Sequence, residues 1–227
     1  MNLPENPESY SDLSMQEVIR VPSDRIGVVI GKKGNTKLKI EELTSTTLEV
    51  NSEDNSVIIR PKKDIGDPSF IWVAKDMIKA IARGFNEKIA FTLIDPNVFL
   101  RIITLDDKNK KRLSKVRGRI IGENGKTRRI LEEITRCNIS VYGNTVTIVG
   151  RYDDGEIDIA QEAIEMLING LKHGTVYKFL EKFRIQKKAE GVKMWKLRDD
   201  VGFDRMWEDF SKDLEKEKQG DEEEEEK

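Results

Sequence analysis

GKKGNTKLKIEELTSTTLEV, residues 31–50, and GENGKTRRILEEITRCNISV, residues 122–141, lie 91 positions apart and agree at seven of their twenty positions. The identities are Gly31 with Gly122, Gly34 with Gly125, Thr36 with Thr127, Glu41 with Glu132, Glu42 with Glu133, Thr44 with Thr135 and Val50 with Val141. Ile40, Leu43 and Leu48 face Leu131, Ile134 and Ile139, so the apolar spacing is duplicated along with the glycines. The period is far longer than a solenoid repeat and occurs only twice, so each copy is expected to fold as a small domain.

Outward from the first glycine pair, residues 17–21 alternate in the manner of a strand. Pro22 suits the first turn of a short helix that Gly31 ends. Leu38, Ile40 and Leu43 fall on one side of a second helix reaching about Thr44. Residues 46–50 and 57–60 are rich in β-branched side chains around a turn of Asn, Asp and Ser, which predicts a hairpin. A longer helix is expected from Asp67-Pro68 to Arg83, with Ile71, Ala74, Ile78 and Ile81 as its apolar stripe and Gly84 just past its end. The order is β-α-α-β-β-α.

Copy two repeats it, with a strand within 98–105, helices flanking 122–125, strands 138–142 and 145–149, and a helix over 153–171. Its hairpin is two residues shorter. DDKNKKRLSKVRGR, residues 106–119, is a basic insertion between strand and helix. The expected fold class is α+β, with two tandem modules, each a three-stranded antiparallel sheet backed by helices. The expected layout is a flexible N-terminus (1–13), domain one (14–86), a linker (87–97), domain two (98–172), a helical extension (173–219) and a disordered acidic tail (220–227).

The formal net charge is -2, but residues 221–227 read DEEEEEK and the rest of the chain is net positive. Ten Lys and Arg against three acids fall between Asp106 and Arg129, making this stretch the strongest electrostatic footprint on the chain. The single cysteine, Cys137, excludes an internal disulfide. No apolar run of signal-peptide length follows Met1, so a cytoplasmic protein is expected.

Glycine admits backbone conformations that other residues resist and, lacking Cβ, lets a phosphate approach the chain. A helix that begins immediately afterwards turns unpaired N–H groups and a positive dipole end toward the same place. One such Gly-x-x-Gly is weak, since 16 Gly in 227 residues give roughly one by chance. Two in matching contexts are strong. The element order with Gly31-Lys32-Lys33-Gly34 and Gly122-Glu123-Asn124-Gly125 between the first two helices resembles the eukaryotic-type (type I) KH domain.

That resemblance implies a clamp on about four nucleotides of unpaired RNA. The candidate RNA-binding residues are Gly31, Lys32, Lys33, Gly34 and Lys37 in copy one. In copy two they are Arg117, Arg119, Gly122, Glu123, Asn124, Gly125, Lys126, Arg128 and Arg129. Glu123 would repel phosphate, and both copies carry a basic residue, Lys37 or Arg128, where KH sequences place an aliphatic one. The five cations around loop two outweigh Glu123, so copy two is expected to be the main binder.

IIGENGKTRRILEEIT, then NISVYGNTVTIVG, then HGTVYKFLEKFR from His173, are similar to the partner-of-Nob family of tandem KH-domain ribosome-assembly factors, here in an archaeal form. The resemblance spans roughly 15–185. It implies binding of single-stranded RNA near the 3′ end of small-subunit (16S-type) rRNA during maturation. It also implies a processing nuclease, an rRNA dimethyltransferase or a translation factor as candidate protein partners. A monomer without enzymatic activity, cofactor, metal or membrane contact is expected. The alternative is a protein-interaction adaptor whose KH folds no longer read RNA.

Competing motifs are weak. His173 lacks a Cys or Ser partner and reads as a capping residue between helices. Asp106-Asp107 and Asp153-Asp154 sit at element boundaries, where Asp serves turns and caps. Gly125-Lys126-Thr127 would need a glycine at Ile120 to be a P-loop. Val176, Phe179, Leu180 and Phe183 form a packing stripe. Phe203, Trp207, Phe210 and Leu214 form a second amphipathic pattern suited to a partner protein.

Overall fold

The computed structural model describes residues 16–62, 69–105, 110–152 and 155–193. The expected flexible N-terminus, the Asp67-Pro68 helix start, both Asp pairs, the 203–214 pattern and the acidic tail lie outside the described residues.

Copy one runs β1 (Glu17–Arg20), α1 (Ser23–Ile30), α2 (Asn35–Thr44), β2 (Thr46–Asn51), β3 (Ser56–Pro61) and α3 (Phe70–Ala82). Copy two runs β4 (Val98–Thr104), α5 (Lys110–Ile121), α6 (Lys126–Thr135), β5 (Asn138–Tyr142), β6 (Thr145–Arg151) and α7 (Glu156–Ile168). Between them stand α4 (Glu87–Phe91) and a 3-10 turn, Thr92–Ile94; α8 is His173–Lys193. The last strand of each hairpin lies in the middle of its sheet, giving antiparallel orders β1-β3-β2 and β4-β6-β5. The compact divisions of the chain are residues up to Gln161 and residues from Glu162. In the latter, Val176, Phe179, Leu180 and Phe183 are all buried, the spacing expected of a packed helical stripe.

The registers are homologous. Leu48 stands opposite Ile59 and Val50 opposite Val57, while Ile139 stands opposite Ile148 and Val141 opposite Val146. Leu48, Ile59, Val57, Ile139, Ile148 and Val146 are buried, since alternate side chains of a strand share one face. In copy one α3 covers that face, packing on β1 and β3 and against α1 and α2. Its stripe Ile71, Ala74, Ile78, Ile81 is buried as expected. α2 departs from expectation: Thr36, Ile40 and Thr44, four residues apart, point inward, while Leu38 is 59% exposed. The spacing 36, 40, 44 follows one side of a 3.6-residue helix more closely than 38, 40, 43 does.

The connecting segments have structure of their own. The linker 87–97 is largely ordered: Asn86 caps α4 by accepting the Ile89 N–H at 2.9 Å, and Ala90 and Leu93 join the copy-one core. The described part of the basic insertion, placed between strand and helix by the sequence, is itself helical. Residues 110–119 extend the first helix of copy two to 12 residues, against 8 in α1.

The second face of the copy-two sheet rests on copy one. Val149 belongs to the same buried cluster as Phe85, Ala90 and Leu93, with Val98 and Leu100 packed against it. Ser140 Oγ donates to the Arg83 carbonyl at 2.8 Å, and Tyr142 Oη donates to Asp24 Oδ2 at 2.5 Å. A Cβ on Gly84, at φ 99°, would lie 2.7 Å from Ser140 Oγ, so this close approach excludes a larger residue.

Candidate nucleic-acid interface

Both Gly-x-x-Gly stretches are single 3-10 turns, Lys32–Gly34 and Glu123–Gly125, set between two helices. Gly34 and Gly125 hold left-handed backbone at φ 80° and 76°, and Lys33 and Asn124 do so at 54° and 49°. Left-handed backbone costs Lys more than Asn, so the second loop is the less strained.

The two glycines of each loop serve different ends. A Cβ on Gly31 would lie 2.1 Å from Thr36 Oγ1, and one on Gly122 would lie 2.2 Å from Thr127 Oγ1. The first glycine therefore makes room for a buried threonine at the start of the next helix. A Cβ on Gly34 would meet nothing within 4 Å beyond its own neighbours in the chain, and one on Gly125 would meet Arg129 Nε at 3.9 Å. The second glycine leaves space through which another molecule can reach the main chain. It also fills the N-cap position of α2 or α6, neither of which has a side-chain cap. Both helices are 10 residues long; their first N–H groups, at Asn35 and Lys126, donate to the Lys32 and Glu123 carbonyls, and neither positive dipole end has a capping side chain. That arrangement suits an anion.

A carboxylate two turns on anchors each loop to its sheet. Glu41 Oε1 accepts the Leu48 N–H at 2.7 Å and Glu132 Oε1 accepts the Ile139 N–H at 3.0 Å. The unusual basic residues lean on these same carboxylates, Lys37 on Glu41 at 3.9 Å and Arg128 on Glu132 at 3.6 Å.

The structure places the other candidates as follows. Lys32, Lys33, Glu123, Asn124 and Lys126 are exposed on the loops and at the start of α6. Arg129 donates to the Asn124 carbonyl and braces loop two from within. Arg117 donates to the Gly143 carbonyl at 2.9 Å, tying α5 to the β5–β6 turn, and Arg119 is half-buried near the end of α5. α5 packs against α6, so the candidates of copy two gather at one end of the module. Lys110, Lys111, Arg112 and Lys115 lie up to about 18 Å back along α5 at 1.5 Å per residue, extending the basic surface away from the loop.

Thr36, Thr127 and Glu87 were not among the sequence candidates, although all three adjoin a loop or its helix. The threonine pair was legible, because it is one of seven identities in the repeat. Glu87, which accepts the Thr36 hydroxyl at 2.7 Å, lies 51 residues from its partner and carried no signal. Among the described residues no group of three or more His, Cys, Asp or Glu is placed to hold a metal, and no helix is long and apolar enough to cross a membrane. His173 is the first residue of α8 and lies near Tyr177, with ring centroids 6.2 Å apart.

Known proteins share this architecture. Residues 99–185 match the eukaryotic-type KH domain (type I) in the form of the second KH domain of Pno1, and residues 16–80 match the KH domain. A KH domain-containing protein of Methanocaldococcus jannaschii is 40% identical over 201 residues, 88% of this chain and 86% of that one. The pre-rRNA-processing protein pno1 of Aspergillus fumigatus is 34% identical over 141 residues, 60% of this chain and 55% of that longer protein. The crystal structure of Dim2p from Pyrococcus horikoshii is similar at 46% identity and a TM-score of 0.68, over 74% of this chain and 98% of that one. A chain of the a/eIF2α–aDim2p–rRNA complex from the same organism is similar at 42% identity and a TM-score of 0.72, over 78% of this chain and 99% of that one. With two KH folds, the Pno1-type match in the second and a relative aligned over most of both lengths, the chain belongs to the partner-of-Nob (Pno1/Dim2) family of tandem KH-domain proteins, as an archaeal-type member.

Proposed function

We propose that this protein is a cytoplasmic ribosome-assembly factor that binds single-stranded RNA near the 3′ end of small-subunit rRNA during maturation, gripping it chiefly through copy two. It is a binding module and not an enzyme, in keeping with the KH proteins it resembles. The observation that carries the reading is the duplicated loop, where a glycine with free space on its Cβ side stands at a helix start that has no side-chain cap. A sugar-phosphate chain provides anions at close spacing, and unpaired bases can lie flat where a duplex cannot. The relative solved with rRNA supports RNA as the ligand, and the pre-rRNA-processing relatives support the assembly role.

The preference for copy two rests on the cations of α5, loop two and α6 and on the relaxed Asn124. In the test, E123D/N124D is compared with K32D/K33D for binding of unstructured RNA ending like the small-subunit rRNA, at fixed salt. The copy-two variant is expected to lose at least about tenfold in affinity and the copy-one variant several-fold less, although the latter changes more charge. Equal losses would refute the ranking, and absence of binding by the unaltered protein in dilute buffer would refute the RNA reading.

A protein partner is a second reading with its own support. The rRNA complex of the similar Pyrococcus protein also contains a/eIF2α, which favours a translation factor as an additional partner.

A further inference from the structure

We infer that Glu87 is a built-in competitor for RNA phosphate at the first loop, so that copy one is held in a weak-binding state by its own chain. The inference rests on the RNA-binding reading above and names what sets the inequality between the two copies.

Four observations converge. Thr36 is the second residue of α2, and its hydroxyl occupies the space directly against Gly31, where a Cβ would be 2.1 Å away. That hydroxyl donates to Glu87 Oε2 at 2.7 Å, which brings a carboxylate to the helix end that a phosphate would use. A carboxylate at a helix N-terminus is favourable by the same dipole that attracts phosphate, so the two anions are alternatives. Glu87 is held there by the fold rather than by chance: it is the first residue of α4, whose cap is the Asn86 side chain and whose Ala90 is buried in the copy-one core.

The fourth observation is what stands at the corresponding step of copy two. Gly84 follows α3 and Gly170 follows α7, both with left-handed backbone, and the residue three positions after each glycine is Glu87 in copy one and His173 in copy two. Copy one therefore carries a carboxylate at the sequence position where copy two carries an imidazole. Loop residues alone would suggest the opposite ranking, since loop one holds Lys32-Lys33 and loop two holds Glu123-Asn124. Like charges a few ångströms apart repel even in high dielectric, and Lys32 and Lys33 must overcome Glu87 before they help a phosphate.

The test uses the full-length protein and a fluorescent single-stranded RNA with the small-subunit 3′ sequence, titrated at two salt concentrations. Glu87→Gln keeps a hydrogen-bond acceptor for Thr36 while removing the charge. It is expected to bind about three-fold tighter at low salt, with a steeper loss of affinity as salt rises. The gain is expected to be larger in the E123D/N124D background, where copy two is disabled, and to vanish when K32D/K33D is added. Glu87→Ala is measured beside it, with thermal melting of each variant, so that a folding defect in one is separated from the effect of charge.

No gain in either folded variant overturns the inference while leaving RNA binding intact. So does a gain that survives K32D/K33D, because it would not act through loop one. If the unaltered protein fails to bind at low salt, the RNA-binding reading falls and this inference with it.

Discussion

The outer faces of the two sheets have opposite fates, although the sheets share one topology and one register. On the copy-one sheet Val18 and Arg20 are exposed, and Arg60 pairs with Glu49 across the strands at 2.6 Å. On the copy-two sheet the equivalent of Arg60 is Val149, each being the fifth residue of its central strand, and the equivalent of Glu49 is Ser140. Val149 is 1% exposed and joins the copy-one core, while Ser140 donates to Arg83. Three charged positions in one copy, Arg20, Glu49 and Arg60, become Thr104, Ser140 and Val149 in the other. An unpaired charge cannot be buried cheaply, so only the uncharged face can serve as the docking surface between modules. The two sheets share a topology, and the one without these charges is internal.

The comparison breaks most visibly if those charges are exchanged. Val149→Arg should lower stability by about 3–5 kcal/mol, because it places a cation without a partner in a buried cluster. Arg60→Val should change it by less than about 1 kcal/mol, since an exposed ion pair contributes little. Urea unfolding of both variants checks this, and similar losses would contradict the assignment of the two faces.

The loops offer a test of likeness instead of contrast. Gly31→Ala and Gly122→Ala both push a Cβ into a threonine hydroxyl and both force a left-handed residue, so each should cost about 2–3 kcal/mol. A large difference between them in unfolding midpoint would show that the threonine beneath one loop yields and the other does not.

The smallest expected effect concerns the tie between copies. The Asp24 carboxylate that accepts the Tyr142 hydroxyl, followed by burial, raises the phenol above its ordinary pKa of 10.0. A raised folded-state value means that the contribution is complete below the unfolded pKa and is lost as pH climbs through the folded one. Tyr142→Phe should therefore cost a few tenths of a kcal/mol at pH 8, and the gap should close above about pH 10. Melting temperatures of both proteins across pH 7–11 measure it, and a gap that widens with pH would contradict the bond.

Much of this was readable in the chain. The paired glycines, the duplicated Glu41 and Glu132, the hairpins and the stripe of α3 are local patterns whose spacing matches a helix or strand period, and the structure repeats them in both copies. Leu38 was misassigned because three apolar residues on a short helix define its buried side poorly when threonines fill the rest of it. The segment 87–97 lacks a long apolar run and looked like a connector. Its order comes from one Asn cap and from Ala90 and Leu93 reaching a core made elsewhere. Of the candidate site, the chain offers the glycines and their flanking cations as candidates, whereas the internal engagements of Arg117, Arg128 and Arg129 leave no local pattern.

The duplication, the element order and the two loops are legible in the chain, because each depends on neighbours within a few residues and on the conformational freedom of glycine. Which sheet face is covered, and that Glu87 meets Thr36, emerges from packing in the folded molecule. Those contacts join residues 51 to 118 positions apart, and no periodicity along a chain encodes which distant partner packing will select.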